Sequence, residues 1–230
     1  MDENKNYTAP VPALSKEERA QKFADVRLYL CVDARQEQGD LEEFLRAAYR
    51  GGVDLIQLRD KKLEARAEIE ALEVLARVAR EEGKLFSVND RADVALLVNA
   101  DVFHVGQGDL TTQQARALLG DEVIIGRSTN SVELAQQAID DEGLDYFCTG
   151  PVWETPTKPG RAAVGPELVK YAAEHAGGKP FFGIGGVNAQ TLPEVRQAGA
   201  DRVVVVRAIT EAEDPEAAAA ELSQQLREQR

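Results

Sequence analysis

Charged and hydroxyl side chains gather in a few short stretches of this chain, and each stretch suits anionic chemistry. Gln57-Leu58-Arg59-Asp60-Lys61 sets a guanidinium fork and an ammonium point charge two residues apart, a pairing suited to phosphate oxygens. A salt bridge to Asp60 is the ordinary alternative. Asn89-Asp90 and His104-Val-Gly-Gln-Gly-Asp109 add two carboxylates. Together these can hold a hard cation that shares its remaining positions with phosphates, as Mg²⁺ does; each can equally cap a helix. Gly126-Arg127-Ser128-Thr-Asn130 offers a hydroxyl to a phosphate or to a helix start. The stretch Gly150 to Arg161 holds Thr155, Pro156, Thr157 and Lys158 beside Trp153, which either stacks on a ring or anchors its loop. Gly183-Ile-Gly185-Gly186 and Val206-Arg207 complete the set, and paired glycines let backbone N–H groups approach an anion. His104, inside an apolar run, has the setting of a packed, hydrogen-bonded residue, and His175 that of a structural one. No local serine–histidine or cysteine–histidine signature marks a nucleophile.

These stretches follow a regular succession of elements. Short apolar runs at 27–32, 53–59, 85–88, 102–105, 123–125, 146–149, 180–184 and 202–206 have strand character. Amphipathic stretches separate them, at about 40–50 from an Asp40 cap, 64–82, a short one through Val94 and Leu97, 111–119, 131–141, 166–175, 190–198 and from 214 onward. Strands apolar on both faces and followed by helices form parallel sheets covered by helices. Eight such units predict an α/β fold, a closed (β/α)8 TIM barrel over residues 26–230. An open doubly wound sheet is the alternative, but Val32-Asp-Ala-Arg follows the first strand where that fold has a glycine-rich turn. Residues 1–25 form a short N-terminal extension, an extended segment and then a helix opened by the capping box Ser15-Lys-Glu-Glu18. The chemistry-bearing stretches all fall at strand C-terminal ends, where barrels place their sites.

Composition narrows the functional classes. With 27 Lys+Arg and 40 Asp+Glu the net charge is −13, which argues against nucleic acid and anionic membrane surfaces as partners. No apolar run has the length of a membrane span. The polar, acidic start lacks the pattern of a signal peptide, so a cytoplasmic address is expected. Cys31 and Cys148 lie far apart in apolar runs and are expected to be two buried thiols. Assembly of identical copies through the outer helices is compatible with such a barrel.

The motifs QLRDK, VNDRADVAL, DVFHVGQGDL, GRS, GPVWETPTK, FFGIGGV and VVVVRAI occur in this order, each at a strand end. As an ordered set they resemble the thiamine-phosphate synthase (thiamine-phosphate pyrophosphorylase) family, from about Leu28 to the C-terminus. The resemblance implies an enzyme that joins 4-amino-2-methyl-5-(diphosphooxymethyl)pyrimidine to 4-methyl-5-(2-phosphooxyethyl)thiazole, giving thiamine phosphate and pyrophosphate. It implies catalytic roles for Arg59, Lys61, Ser128 and Lys158. Gln57, Leu58, Arg59, Asp60, Lys61, Asn89, Ser128 and Lys158 would surround the pyrimidine diphosphate, with Asp90 and Asp109 on Mg²⁺. Thr155, Pro156, Thr157, Gly186, Val206 and Arg207 would hold the thiazole phosphate. The reaction implied is dissociative, pyrophosphate leaving before the thiazole nitrogen attacks.

Two positions depart from the family pattern. Asn130 stands where the family often has histidine, and Val206-Arg207 where it often has Val-Ser. Three other readings remain at this level. A metal-free thiazole tautomerase would not need the aspartate pair, a phosphosugar isomerase would need an acid–base pair, and a non-catalytic ligand sensor would need no reactive groups. On any of the enzyme readings, the cations Arg59, Lys61 and Lys158, joined by Arg127, Arg161 and Arg207, make a small basic basin at one barrel mouth of an acidic protein.

Overall fold

The computed structural model describes residues 7–155 and 162–228. Eight strands, β1 (Leu28–Val32), β2 (Leu55–Leu58), β3 (Leu85–Asn89), β4 (Val102–Val105), β5 (Ile124–Thr129), β6 (Tyr146–Thr149), β7 (Phe181–Ile184) and β8 (Val203–Val205), close in chain order. Every pairing is parallel, including that of β8 with β1. Helices α2 (Leu41–Arg50), α3 (Ala65–Glu81), α4 (Ala92–Leu97), α5 (Thr112–Leu119), α6 (Val132–Asp140), α7 (Pro166–His175), α8 (Leu192–Gln197) and α10 (Pro215–Arg227) follow the strands, with α1 (Lys16–Ala24) before them and α9 (Arg207–Thr210) after β8. This is the expected (β/α)8 barrel.

Strand alternation divides the core in two. Leu30, Ile56, Phe86, Phe103, Ile125, Phe147 and Val205 pack outward against the helices. Tyr29, Leu55, Leu85, Val102, Ile124, Tyr146, Phe182 and Val204 fill the interior. Gly126 makes room for one of them, since a Cβ there would lie 2.0 Å from the Tyr146 ring.

Helix α1 closes the lower end of the barrel. The expected capping box is present, Ser15 accepting from the Glu18 N–H and Glu18 accepting from the Ser15 N–H. Phe23 sits with the interior cluster, its ring 5.1 Å from Tyr146 and 6.1 Å from Phe182. Arg202 donates to the carbonyls of Phe23, Ala24 and Val26 and so ties the helix end to the barrel. Arg19 lies 3.5 Å from Asp101, a fully buried carboxylate that also takes a bidentate pair from Arg80 (2.8 and 2.7 Å) and the Phe86 N–H (3.1 Å). Asp101→Ala strands the buried Arg19 and the half-buried Arg80 guanidinium, so a loss of about 3 kcal/mol is expected in urea unfolding; an unchanged midpoint contradicts this account of the closure.

Among its elements the structure departs most clearly from the sequence-based expectation at four points. Strand β5 runs to Thr129 rather than ending with the apolar run at Ile125, because Ser128 and Thr129 pair with Cys148 and Thr149 of β6. Strand β2 begins at Leu55; Asp54 before it accepts from the Arg27 and Leu28 N–H groups. Asp40 stands at the start of α2 but makes no cap bond, its carboxylate being held by Arg35 at 2.6 and 2.8 Å. Helix α9 was not expected, since four residues show no period.

Candidate active site

The upper ends of β2, β3 and β4 build an ionic cluster. Asp90 follows β3 in a left-handed conformation (φ 60°), its N–H donating to the His104 carbonyl (2.9 Å). Its carboxylate receives Lys61 at 2.6 Å. Asp109 folds back across the β4 loop and accepts from the Gly106 N–H at 2.9 Å. A Cβ at Gly106 would lie 2.8 Å from the Asp109 carboxylate, so a larger residue there would shift the tip of that side chain. Burial pushes the Asp109 carboxyl up. A hydrogen bond with Asp90, the Gly106 N–H and the charges of Lys61 and Arg59 outweigh it, and the group lies below its ordinary value. Asp109 therefore caps no helix; Thr111 does, in a capping box with Gln114.

Two cavities open side by side at this end of the barrel. The smaller, about 60 Å³, is lined by Gln57, Arg59, Asn89, Asp90, Gly106 and Ser128, with Tyr29, Cys31, His104 and Cys148 below. The larger, about 280 Å³, is lined by Thr129, Thr155, Gly185, Gly186, Asn188, Arg207 and Glu211 among others. Ser128, Ile184, Val204 and Val206 belong to both linings and form the shared wall. Ser128 caps no helix either: Ser131 caps α6, and Ser128 Oγ lies 2.9 Å from His104 Nε2.

The wall of the larger cavity depends on close backbone contacts. Val152 and Trp153 N–H groups donate to the carbonyls of Ile184 and Gly185, so the loop after β6 runs beside the end of β7. Trp153 anchors this loop, packing on the outer core and against Gly186. Gly186 has φ 72°, and a Cβ there would lie 2.7 Å from Trp153. Gly186→Ala is expected to displace the loop and raise KM for the ligand of this cavity by roughly tenfold or more, with the fold kept; steady-state kinetics with each substrate varied in turn checks it.

The expected site residues are distributed unevenly. Gln57, Arg59, Asn89, Asp90 and Ser128 come together around the small cavity, and Thr155, Gly186, Val206 and Arg207 around the large one. Lys61 joins through Asp90. Leu58 points into the outer core, and Asp60 accepts from the Ala34 and Lys62 N–H groups; neither lines a cavity. Arg127 lines neither, bracing the β4–α5 loop through the Leu110 carbonyl. Asn130, one of the two departures, lies half-buried outside both linings. Pro156, Thr157, Lys158 and Arg161 lie outside the described residues. Sequence reasoning missed Tyr29, Tyr146 and Glu211. The two tyrosines carry a signal, since each stands two residues before a cysteine and so shares its face. Cys31 is half-buried and faces the small cavity, contrary to the expectation of two buried thiols; Cys148 is buried.

The thiamine monophosphate synthase family model matches residues 28–209. The chain belongs to this family. Thiamine-phosphate synthases of Saccharopolyspora erythraea and Streptomyces avermitilis are 59% and 58% identical to it, covering 89% and 90% of the chain and 95% and 96% of their own lengths. A solved thiamine phosphate pyrophosphorylase of Pyrococcus furiosus superposes with a TM-score of 0.78 at 32% identity, covering 88% of this chain and 98% of that one. As a thiamine-phosphate synthase family member at this identity, the chain is an enzyme that forms thiamine phosphate. The identity to named synthases favours the synthase over the tautomerase, isomerase and sensor readings. Among the described residues no helix is long and apolar enough to cross a membrane.

Proposed function

We propose that the two cavities divide the two substrates between them. The small cavity takes the pyrimidine diphosphate and the large one the thiazole phosphate, with the shared wall at Ser128, Ile184, Val204 and Val206 where their reacting atoms meet. The observation that carries this reading is the difference between the two linings: Arg59 and Asp90, with Lys61 on Asp90, edge the first cavity, while positive-φ glycines, Arg207 and the start of α9 edge the second. Phosphate sites in barrels favour the loops after strands seven and eight.

Asp90 and Asp109 fit Mg²⁺. They are acceptor-only carboxylates that follow the adjacent strands β3 and β4, Asp90 beside Lys61 and Asp109 held by the Gly106 N–H. Two carboxylates with phosphates and water is the usual Mg²⁺ environment. When bound, the ion supplies positive charge to the diphosphate as it leaves. Arg59 and Lys61 add their charges to the same group, and Lys158 is assigned to it from the family pattern. Such charge acts in a site already built, without reorganisation. Gln57 and Asn89 orient the pyrimidine, and the apolar wall keeps water from the cationic carbon. Leaving-group departure followed by attack of the thiazole nitrogen needs no nucleophilic side chain. Reactants held in contact gain the advantage of an intramolecular step.

A reducing, cytoplasmic setting suits the half-buried Cys31 beside the substrate. Purified protein given both phosphorylated heterocycles and Mg²⁺ is expected to release pyrophosphate and thiamine phosphate in equal amounts. Pyrophosphate without thiamine phosphate would contradict the shared wall.

A further inference from the structure

A continuous chain of hydrogen bonds crosses the barrel interior and ends at Ser128. Gln57 Nε2 donates to Tyr29 Oη at 2.7 Å, and the Tyr29 O–H donates to Ser87 Oγ at 3.1 Å. The Tyr29 and Tyr146 hydroxyls lie 3.4 Å apart, Tyr146 Oη lies 3.0 Å from His104 Nδ1, and His104 Nε2 lies 2.9 Å from Ser128 Oγ. Burial pushes both phenols well above their ordinary values, so each carries one O–H.

Counting hydrogens gives the chain a direction. With Tyr29 donating its only hydrogen to Ser87, the contact between the two phenols is a hydrogen bond when Tyr146 donates. Tyr146 then has only lone pairs for His104, and Nδ1 carries the ring hydrogen. A neutral imidazole has one N–H, which leaves Nε2 an acceptor. The Ser128 O–H therefore points at Nε2, and the shared wall receives only Ser128 lone pairs.

We propose that His104 is a positioning residue, held by Tyr146 and Tyr29, that makes Ser128 a one-way acceptor and thereby selects a pyrimidine carrying an amino group over one carrying a carbonyl in its place. The proposal rests on the reading that Ser128 faces the pyrimidine. An amino N–H satisfies the Ser128 lone pair. A carbonyl sets two acceptors against each other in a site shielded from water, and such mismatches are discriminated strongly.

Two measurements test this. With two histidines in the chain, ¹⁵N-histidine labelling and a His175→Gln variant for assignment report the His104 tautomer directly. Nδ1 is expected to carry hydrogen and Nε2 to be bare; a hydrogen on Nε2 overturns the proposal. In the second, calorimetry with Mg²⁺ compares the amino pyrimidine diphosphate with its carbonyl analogue. The native protein is expected to favour the amino compound by roughly tenfold or more. Tyr146→Phe keeps the ring against Phe23 and Phe182 but removes the oxygen that holds the Nδ1 hydrogen, and should bring that ratio down severalfold. An unchanged ratio in a folded Tyr146→Phe protein overturns the proposal. Ser128→Ala should erase the preference by weakening the amino compound. If Ser128→Ala leaves both affinities at native values, the placement of the pyrimidine itself is wrong.

Discussion

Arg59→Ala is expected to lower kcat/KM by on the order of 10²–10³ with the fold intact. Arg59 stands one residue beyond β2, its N–H fixed to the Val32 carbonyl at 2.8 Å and its side chain lining the small cavity. The backbone anchor survives the substitution, so the loss falls on the leaving diphosphate. Arg59→Lys restores charge but not the planar fork, and should recover only part of the loss. Steady-state kinetics separates the effects: kcat should fall with the pyrimidine diphosphate saturating, while KM for the thiazole phosphate moves little. Equal rises in both KM values would mean that Arg59 serves the whole mouth rather than one cavity.

Asp90→Asn is expected to have an effect of the same order, by a different route. Asparagine tolerates the left-handed conformation that Asp90 adopts, so the loop should keep its shape. The variant removes one of two carboxylates proposed for Mg²⁺ and the partner of Lys61. The rate should drop at fixed Mg²⁺ and rise again only at much higher concentrations of the ion. Circular dichroism and the urea midpoint should stay near native. A variant with the native Mg²⁺ response would remove Asp90 from the metal.

Most of the barrel was legible in the sequence, because parallel strands buried on both faces and amphipathic helices carry strong periodic signals. The failures have physical reasons. Strand β5 looked shorter than it is because its inward positions after Ile124 are Gly126 and Ser128. The first admits the Tyr146 ring, and the second belongs to a polar network, so neither shows as apolar alternation. Helix α9 has one turn and therefore no pattern. Asp40 looked like a cap because aspartate before a helix usually is one, but Arg35 from the same loop makes the stronger claim on its carboxylate. In the site, Arg59, Asp90 and Arg207 announced themselves by type and by position at strand ends, while Glu211, beyond the short α9, did not. Tyr29 and Tyr146 did not, since tyrosine in a strand is ordinary and only their hydroxyl contacts set them apart. The role of the N-terminal segment was also out of reach of periodicity. It depends on contacts between residues far apart in the chain, such as Arg19 with Asp101 and Phe23 with Tyr146.

The overall charge of −13 and the proposed phosphate-binding mouth are compatible because they describe different scales. Acidic residues on the helices, such as Glu42 with Arg46 and Arg77, are held in surface ion pairs that line neither cavity. Arg59, Lys61 and Arg207 act over a few ångströms, well inside the screening length.

The most direct test of the divided site is Mg²⁺-dependent product formation from both heterocycles, followed with EDTA and with increasing Mg²⁺ in the native protein and in Asp90→Asn. The account predicts that thiamine phosphate and pyrophosphate appear together, that EDTA stops both, and that Asp90→Asn shifts the Mg²⁺ requirement upward. Full activity of the native protein in EDTA, with equal amounts of both products, would contradict it.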